Sequence, residues 1–326
     1  MHLLELVAQP DIKPSFQATE PYNSSVPDWM LGTFKRRSIS FANGLTDTDT
    51  LVFWLQSRNF SIDLRLPTLE QQLPALPIDA LDFDQLQTLA QYQGWFAQSC
   101  WDQHSRQLSW QEAVSLQLHN QWPEPAILSR IGNCMIEFAP SNVYVEDWRL
   151  QNQQSGPLIG LRLLAEYNLI SGEIQHQGGG LIINGNFAGL VLGRAPDITR
   201  QLQQQQLSLP QLVQQHRHDP AFLKALFDVE TSLATGSLEQ GFQIQLSTQP
   251  LRQQQALCPL DGFESLGNHK LRQKLLVNSQ PCERIYCIDV LETNVSYSLL
   301  TATTPSAQQW QADEHDWLNR YTQPVY

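Results

Sequence analysis

The feature that most constrains the fold is a long series of short strand-like segments separated by turn sequences. Asn43-Gly44 supplies the positive backbone φ that a tight turn needs, and Gly132-Asn133 and Asn184-Gly185 predict two hairpins. The segments lie at 32–41, 51–57, 60–67, 94–103, 107–118, 126–140, 142–151, 157–168, 178–195, 241–249 and 284–292. Such a meander predicts a mainly β protein built as a closed or nearly closed antiparallel barrel.

Two stretches interrupt the strands with helical periodicity. They lie near 69–92 and 196–236, and Gly236 is predicted to end the second. We therefore predict an irregular N-terminal segment over 1–28, a single barrel domain over 29–292 and a C-terminal extension over 293–326 that packs on the barrel. No internal repeat is strong enough to divide the chain into two barrels.

Charge and cysteine content narrow the function classes. The formal net charge of −12 opposes binding to nucleic acids or to an anionic membrane surface. Five cysteines, without CxxC or Cys/His zinc spacing, suggest neither a disulfide framework nor a metal site. No apolar run is long enough to span a membrane, and residues 1–14 do not resemble a signal peptide, so we expect a cytoplasmic protein.

Several motifs resemble an uncharacterised family with Gly-x-Phe/Trp-x-Arg-Arg, Trp-Leu-Gln and Asp-x-Arg-Leu-Pro strands. The matching residues are Trp29, Gly32, Phe34, Arg36, Arg37, Trp54, Leu55, Gln56, Asp63, Arg65, Leu66 and Pro67, followed by "CW" at 100–101, "SW" at 109–110 and "YVEDW" at 144–148. That family looks like the calycins, the lipocalin-type and fatty-acid-binding-type barrels, although Phe34 stands where their opening motif has Trp. The resemblance covers about 29–150 and implies an antiparallel lipocalin/calycin-like β-barrel with helical insertions, but no reaction.

Alternation along the strand at 60–67 separates an aliphatic face from a polar one. Asp63 and Arg65 share the polar face, opposite Ile62, Leu64 and Leu66. Either face could point inward. The corresponding faces of neighbouring strands carry Trp54, Tyr144 and Trp148, which are costly to leave in water. We therefore expect the polar faces inside, with Asp63 and Arg65 in one hydrogen-bonded network with Gln56 or Glu146.

The predicted site is a polar and aromatic pocket. One residue of the Arg36–Arg37 pair is expected to enter it, because the two project to opposite faces. Glu137 is expected at a hairpin edge. The predicted ligand-binding residues are Arg37, Trp54, Gln56, Asp63, Arg65, Tyr144, Glu146 and Trp148.

Three functions remain open at this stage. The first is non-enzymatic binding of a small, partly polar organic ligand, without a cofactor or metal and with an arginine facing a ligand anion. The second is an isomerase, cyclase or hydrolase that uses Tyr144 and Glu146 as an acid/base pair. The third is a protein-interaction scaffold. Homodimer formation is compatible with each.

Overall fold

The first nine strands form a closed barrel in the computed structural model, which describes residues 1–9, 26–297 and 299–326. The strands are β1 (Gly32–Phe41), β2 (Thr46–Asp47), β3 (Leu51–Gln56), β4 (Phe60–Leu66), β5 (Gln93–Asp102), β6 (Gln107–Ser115), β7 (Ala126–Ile131), β8 (Cys134–Phe138) and β9 (Tyr144–Leu150). Eight of them, all except the short β2, pair antiparallel in chain order, and β9 pairs back onto β1 to close the barrel. β2 pairs only with β1.

The later strands form a second antiparallel sheet. They are β10 (Gly156–Asn168), β11 (Ile174–Gln177), β12 (Gly179–Asn184), β13 (Phe187–Leu192), β14 (Glu230–Ser237), β15 (Gly241–Ser247), β16 (Phe263–Gly267), β17 (Lys270–Val277) and β18 (Gln280–Val295). β18 pairs with β10, but β15 and β16 form the two ends of the described sheet. The second sheet is therefore open where the first is closed.

Seven α-helices accompany the sheets in the described residues. They are α1 (Leu3–Val7), α2 (Phe83–Leu89), α3 (Pro196–Gln203), α4 (Leu209–Gln215), α5 (Pro220–Leu226), α6 (Pro305–Asp313) and α7 (His315–Leu318). Asp82 caps α2 in a capping box with Gln85, and Asp219 caps α5 ahead of Pro220. Short 3₁₀ turns cover Asp28–Met30, Leu69–Gln71, Ile78–Ala80 and Pro250–Arg252.

The second sheet repeats the topology of the barrel element by element. In each, a short strand pairs with the first long strand, helices separate the third long strand from the fourth, and the last strand pairs with the first. The connection between the fifth and sixth long strands is the weak point of both. β6 and β7 are joined at two paired positions, Gln107 with Ile127 and Leu108 with Ala126, and β15 does not pair with β16.

The outer faces of the two sheets pack against each other. Ile62, Leu64 and Leu66 of β4 are buried in one cluster with Val191 and Leu233 of the second sheet, and this cluster also holds side chains of α2, α4 and α5. All seven residues of β4 are buried, so both of its faces are covered. The aliphatic face of β4 therefore points out of the barrel and the polar face points in.

Glycine allows the sheets to approach closely at this interface. A Cβ atom on Gly160 of β10 would lie 2.2 Å from the Ser57 hydroxyl oxygen. That hydroxyl donates a hydrogen bond of 2.6 Å to the Asp289 carboxylate of β18. The side chain of Asn59 also donates to Asp289. Polar contacts thus join the sheets beside the apolar cluster.

The prediction of a mainly β protein with a closed antiparallel barrel is confirmed, and the barrel strands lie within 32–150. The single barrel domain expected over 29–292, like the rest of the division into domains, stays a prediction. One correction concerns a helical stretch. The stretch 196–236 is helical only to Leu226, because Glu230–Ser237 pairs with strands on both sides. Pairing on two edges there overrides local helical propensity.

Residues 1–28 were expected to be irregular, yet Leu3–Val7 is helical; residues 10–25 lie outside the described part. Leu3 and Leu6 are buried in the core of the second sheet, and the Leu3 amide donates to the Leu260 carbonyl.

Candidate functional site

The barrel encloses a cavity of about 190 Å³. Strands β3 to β6, β8 and β9 form its wall, and the loop after β6 covers one end. Its lining consists of Trp54, Ser61, Asp63, Arg65, Gln93, Trp95, Ala97, Trp110, Ala113, Ser115, Gln117, Leu118, His119, Asn120, Gln121, Trp122, Glu137, Tyr144 and Trp148. Aromatic rings and a few convergent polar groups are typical of small-molecule sites.

Asp63 and Arg65 form an ion pair inside the barrel. The Arg65 Nε donates to Asp63 Oδ1 at 3.0 Å, and its Nη1 lies 3.7 Å from Glu146 Oε1. The same Glu146 oxygen accepts a 2.8 Å hydrogen bond from Arg36 Nη1, whose other nitrogen contacts Asp47. Asp63 and Arg65 therefore lie inside the barrel as expected, but Arg65 contacts Glu146 as an ion pair and not through the expected hydrogen bond. Glu146 is hydrogen-bonded to Arg36 instead.

The Arg65 guanidinium lies over the rings of two tryptophans. Its Cζ is 4.1 Å from the ring centroid of Trp122 and 5.1 Å from that of Trp95. The Trp122 indole nitrogen donates a hydrogen bond to Gln93, which fixes the position of that ring. Arg65 is thus held by an ion pair with Asp63 and by two cation–π contacts.

Glu137 is the carboxyl group that the sequence placed wrongly. Instead of lying at a hairpin edge, it is 4% exposed and faces the cavity. Trp148 donates to one of its oxygens at 3.0 Å and the Tyr144 hydroxyl donates to the other at 3.3 Å. Burial and the neighbouring Glu146 carboxylate raise the pKa of Glu137 well above its usual range.

The neighbours of Glu137 are shifted by the same environment. Burial, followed by the charges of Glu137 and Glu146, raises the pKa of Tyr144. Burial also raises the pKa of Asp63, against the opposing effect of Arg65. Several carboxyl groups therefore share a small volume that does not favour all of them being charged.

Three indole rings form a corner of the cavity. Trp54 meets Trp110 and Trp148 edge to face, with centroid distances of 6.2 and 5.7 Å. Trp54 donates to Gln56, whose amide in turn donates to the carbonyl of Phe60 and the hydroxyl of Ser99. Gln56 thus positions Trp54 from behind and does not line the cavity.

The structure brings most of the predicted residues together. Trp54, Asp63, Arg65, Tyr144 and Trp148 line the cavity, whereas Gln56 and Glu146 lie behind it. Arg37 is exposed, and the buried member of its pair is Arg36. Whether these residues bind a ligand stays a prediction.

Three lining tryptophans were missed. Trp95 and Trp110 lie on predicted strands, so strand alternation could have assigned them to the inner face. Trp122 lies in the loop between β6 and β7, where no periodicity indicates its direction.

A groove of about 420 Å³ lies beside the cavity, at the end of the barrel that contains Arg36, Asp47 and Tyr92. Arg65, Gln93 and Trp122 line both the groove and the cavity. These three side chains therefore lie between the cavity and the groove.

Comparison with known proteins adds no family to these observations. No protein-family model, no curated protein and no solved structure matches the chain. Within the described ranges, no three His, Cys, Asp or Glu side chains are grouped closely enough to hold a metal ion. None of the helices in those ranges is both long and apolar enough to cross a membrane.

Proposed function

We propose that the barrel binds one small, partly polar organic molecule in its interior cavity without transforming it. The observation that supports this most directly is the cavity itself, whose lining combines aromatic rings with a few polar side chains. Such a combination is typical of sites that bind small molecules.

The cavity volume limits the size of the ligand. A dry cavity of about 150 Å³ accommodates one benzene molecule. At about 190 Å³, this cavity fits one ring with a short substituent. The rings of Trp54, Trp110 and Trp148 would supply contact area, and Arg65 and Ser61 would orient polar substituents.

Ligand binding can be tested with a cavity-filling variant. Ala97 lines the cavity and is fully buried, so Ala97→Leu adds apolar volume without removing a polar group. A library of single-ring compounds is screened against both proteins by ligand-observed NMR, and native mass spectrometry is used to look for retained molecules. We expect binders of the native protein that fail to bind Ala97→Leu, whose fold is checked by thermal unfolding. Equal binding to both proteins would place the site elsewhere, and the absence of binders would contradict the proposal.

An enzyme is the second candidate, in a form that differs from the expected one. The predicted acid/base pair of Tyr144 and Glu146 is not supported by the contacts, because the Tyr144 hydroxyl donates to Glu137 and Glu146 is paired with Arg36. Glu137, with its raised pKa, is the group in this cavity that could act as a general acid. Turnover of a bound compound by the native protein and not by Glu137→Gln would favour this candidate.

The remaining expectations are also proposals. The closed eight-stranded barrel supports membership of the calycin superfamily, and the net charge of −12 supports a cytoplasmic protein that binds neither nucleic acid nor membranes. A scaffold role has less support, since the second sheet and the helices cover the aliphatic face of β4. A homodimer remains an option.

A further inference from the structure

The acidic groups inside the barrel outnumber the basic ones. The carboxyl groups are Asp63, Glu137 and Glu146, and the guanidinium groups are Arg36 and Arg65. Asp63 pairs with Arg65, and Glu146 pairs with Arg36. Within the part of the chain described, Glu137 has no cation at ion-pair distance.

Glu137 is nevertheless held as a hydrogen-bond acceptor. The Trp148 indole nitrogen and the Tyr144 hydroxyl each donate to one of its two oxygens. Both donors are neutral, so they can orient an ionised Glu137 without balancing its charge. A positive charge in the cavity, which Glu137 lines, would balance the ionised form.

Several indole rings border the same space. The faces of Trp95 and Trp122 are already used by Arg65. Trp54, Trp110 and Trp148 form the edge-to-face corner, and Trp148 itself contacts Glu137. Indole rings attract organic cations more strongly than other side-chain rings do, and the effect grows when the cation is desolvated.

We propose that the ligand is a small organic cation, an amine or a quaternary ammonium compound with at most one ring, whose charge lies against Glu137 and the Trp54–Trp110–Trp148 corner. This proposal rests on the ligand-binding function proposed above and specifies its ligand class. It replaces the expected ligand anion, because carboxylates already neutralise both interior guanidinium groups.

Binding of such a cation is coupled to the ionisation of Glu137. Burial and Glu146 raise the pKa of Glu137, and a permanent cation in the cavity would lower it again. As the cation enters, the Glu137 carboxyl releases its proton to solvent and its carboxylate balances the ligand charge. The affinity should therefore increase as the pH rises. The other titratable or charged groups on neighbouring elements are Asp63 and Arg65 on β4, Tyr144 and Glu146 on β9, Arg36 on β1 and His119 in the covering loop.

Three probes of similar shape test the ligand class. Phenyltrimethylammonium, tert-butylbenzene and benzenesulfonate each carry one tetrahedral substituent on a phenyl ring and differ in charge. We expect isothermal titration to show that the cation binds about tenfold more tightly than the neutral probe, or better, and that the anion binds most weakly. Tighter binding of tert-butylbenzene than of the cation would overturn this proposal and leave the ligand-binding function intact. Failure of all three probes would overturn both.

Glu137→Gln tests the residue that recognises the charge. Over a series of pH values, the native protein should bind phenyltrimethylammonium more tightly as the pH rises through the folded pKa of Glu137. It should also release protons on binding, measured by titration in buffers of different ionisation enthalpy. Glu137→Gln should lose both properties while it retains tert-butylbenzene, which shows that its cavity is intact. Glu264→Gln, at an exposed position on β16 of the second sheet, is the matched control and should retain both properties. Their loss in this variant, or their persistence in Glu137→Gln, would contradict the assignment to Glu137.

Discussion

The indole ring of Trp122 lies over the guanidinium of Arg65, with 4.1 Å between the ring centroid and Cζ. Both residues line the interior cavity and the groove outside it, so this stacked pair separates the two spaces. Trp122 comes from a loop, whereas Arg65 is fixed on a strand that is buried on both faces. Movement of the tryptophan would therefore connect the cavity with the groove.

Trp122→Ala should speed ligand exchange. Removal of the ring takes away the partition while Asp63 still pairs with Arg65. We expect both the association and the dissociation rate constants of a cavity ligand to increase, as measured by stopped-flow fluorescence. Trp317→Ala removes an exposed tryptophan and should leave both rates unchanged. Native rates in Trp122→Ala would show that ligands enter by another route.

Asp63→Ala should destabilise the protein by about 3–5 kcal/mol, because it removes the closest partner of a buried guanidinium. Arg65→Met should leave Asp63 similarly unpaired. In urea unfolding, the double variant should lose less stability than the sum of the single variants, since the two side chains interact directly. Additive losses below about 1 kcal/mol, the size expected for a surface pair, would contradict the buried ion pair.

Glu137 should make the stability of the protein decrease as the pH rises. Its pKa is raised by folding, so the folded state binds the Glu137 proton more tightly than the unfolded state does. This contribution is complete below the unfolded pKa of about 4.3 and is lost as the pH rises through the folded pKa. Urea unfolding at a series of pH values should show the native protein losing stability relative to Glu137→Gln above about pH 4.3.

Glu264 provides a control of opposite sign for that experiment. It is exposed, and its hydrogen bond from Arg272 lowers its pKa. The native protein should therefore gain stability relative to Glu264→Gln as the pH rises toward the unfolded pKa of about 4.3 and keep that gain above it, by a small amount because the pair is in solvent. If the native protein does not lose stability relative to Glu137→Gln above about pH 4.3, folding does not raise the pKa of Glu137.

Gly160→Ala should weaken the packing between the two sheets. The added methyl group would lie 2.2 Å from Ser57 Oγ, so the hydroxyl must move away from Asp289. We expect a loss of about 1–3 kcal/mol in chemical unfolding, as for other overpacked interiors. Combining it with Ser57→Ala should recover part of that loss, because the clashing oxygen is removed. A native-like Gly160→Ala protein would contradict the close approach of the sheets.

Local patterns predicted much of the barrel and its inner surface. The hairpins at Gly132-Asn133 and next to Gly185 have the expected positions, and alternation assigned Asp63 and Arg65 to one face. Alternation failed to identify the inward face of β8. Ile136 and Phe138 are apolar, but they lie on the other face of the strand from the buried Met135 and Glu137. A hydrophobic pattern cannot identify the inner face of a strand whose inner face carries a charge.

Long-range pairing is the part that the sequence did not reveal. The pairing of β1 with β9, which closes the barrel, and the pairing of β10 with β18 both join residues more than a hundred positions apart. Such contacts leave no local signal in the sequence. For the same reason, the repeated topology of the two sheets was not visible. Their strand and helix orders correspond, but no motif of the first recurs recognisably in the second.

The burial of α1 against residues near 260 has a consequence for folding during translation. Leu3 and Leu6 are translated before the barrel, yet their burial depends on Leu260 and Phe263, which are translated after it. The barrel strands can close as soon as Leu150 has emerged, whereas the apolar side chains of α1 stay exposed until the second sheet forms. During that interval, α1 is a hydrophobic segment without its partner, and chaperones that recognise such segments would encounter it first.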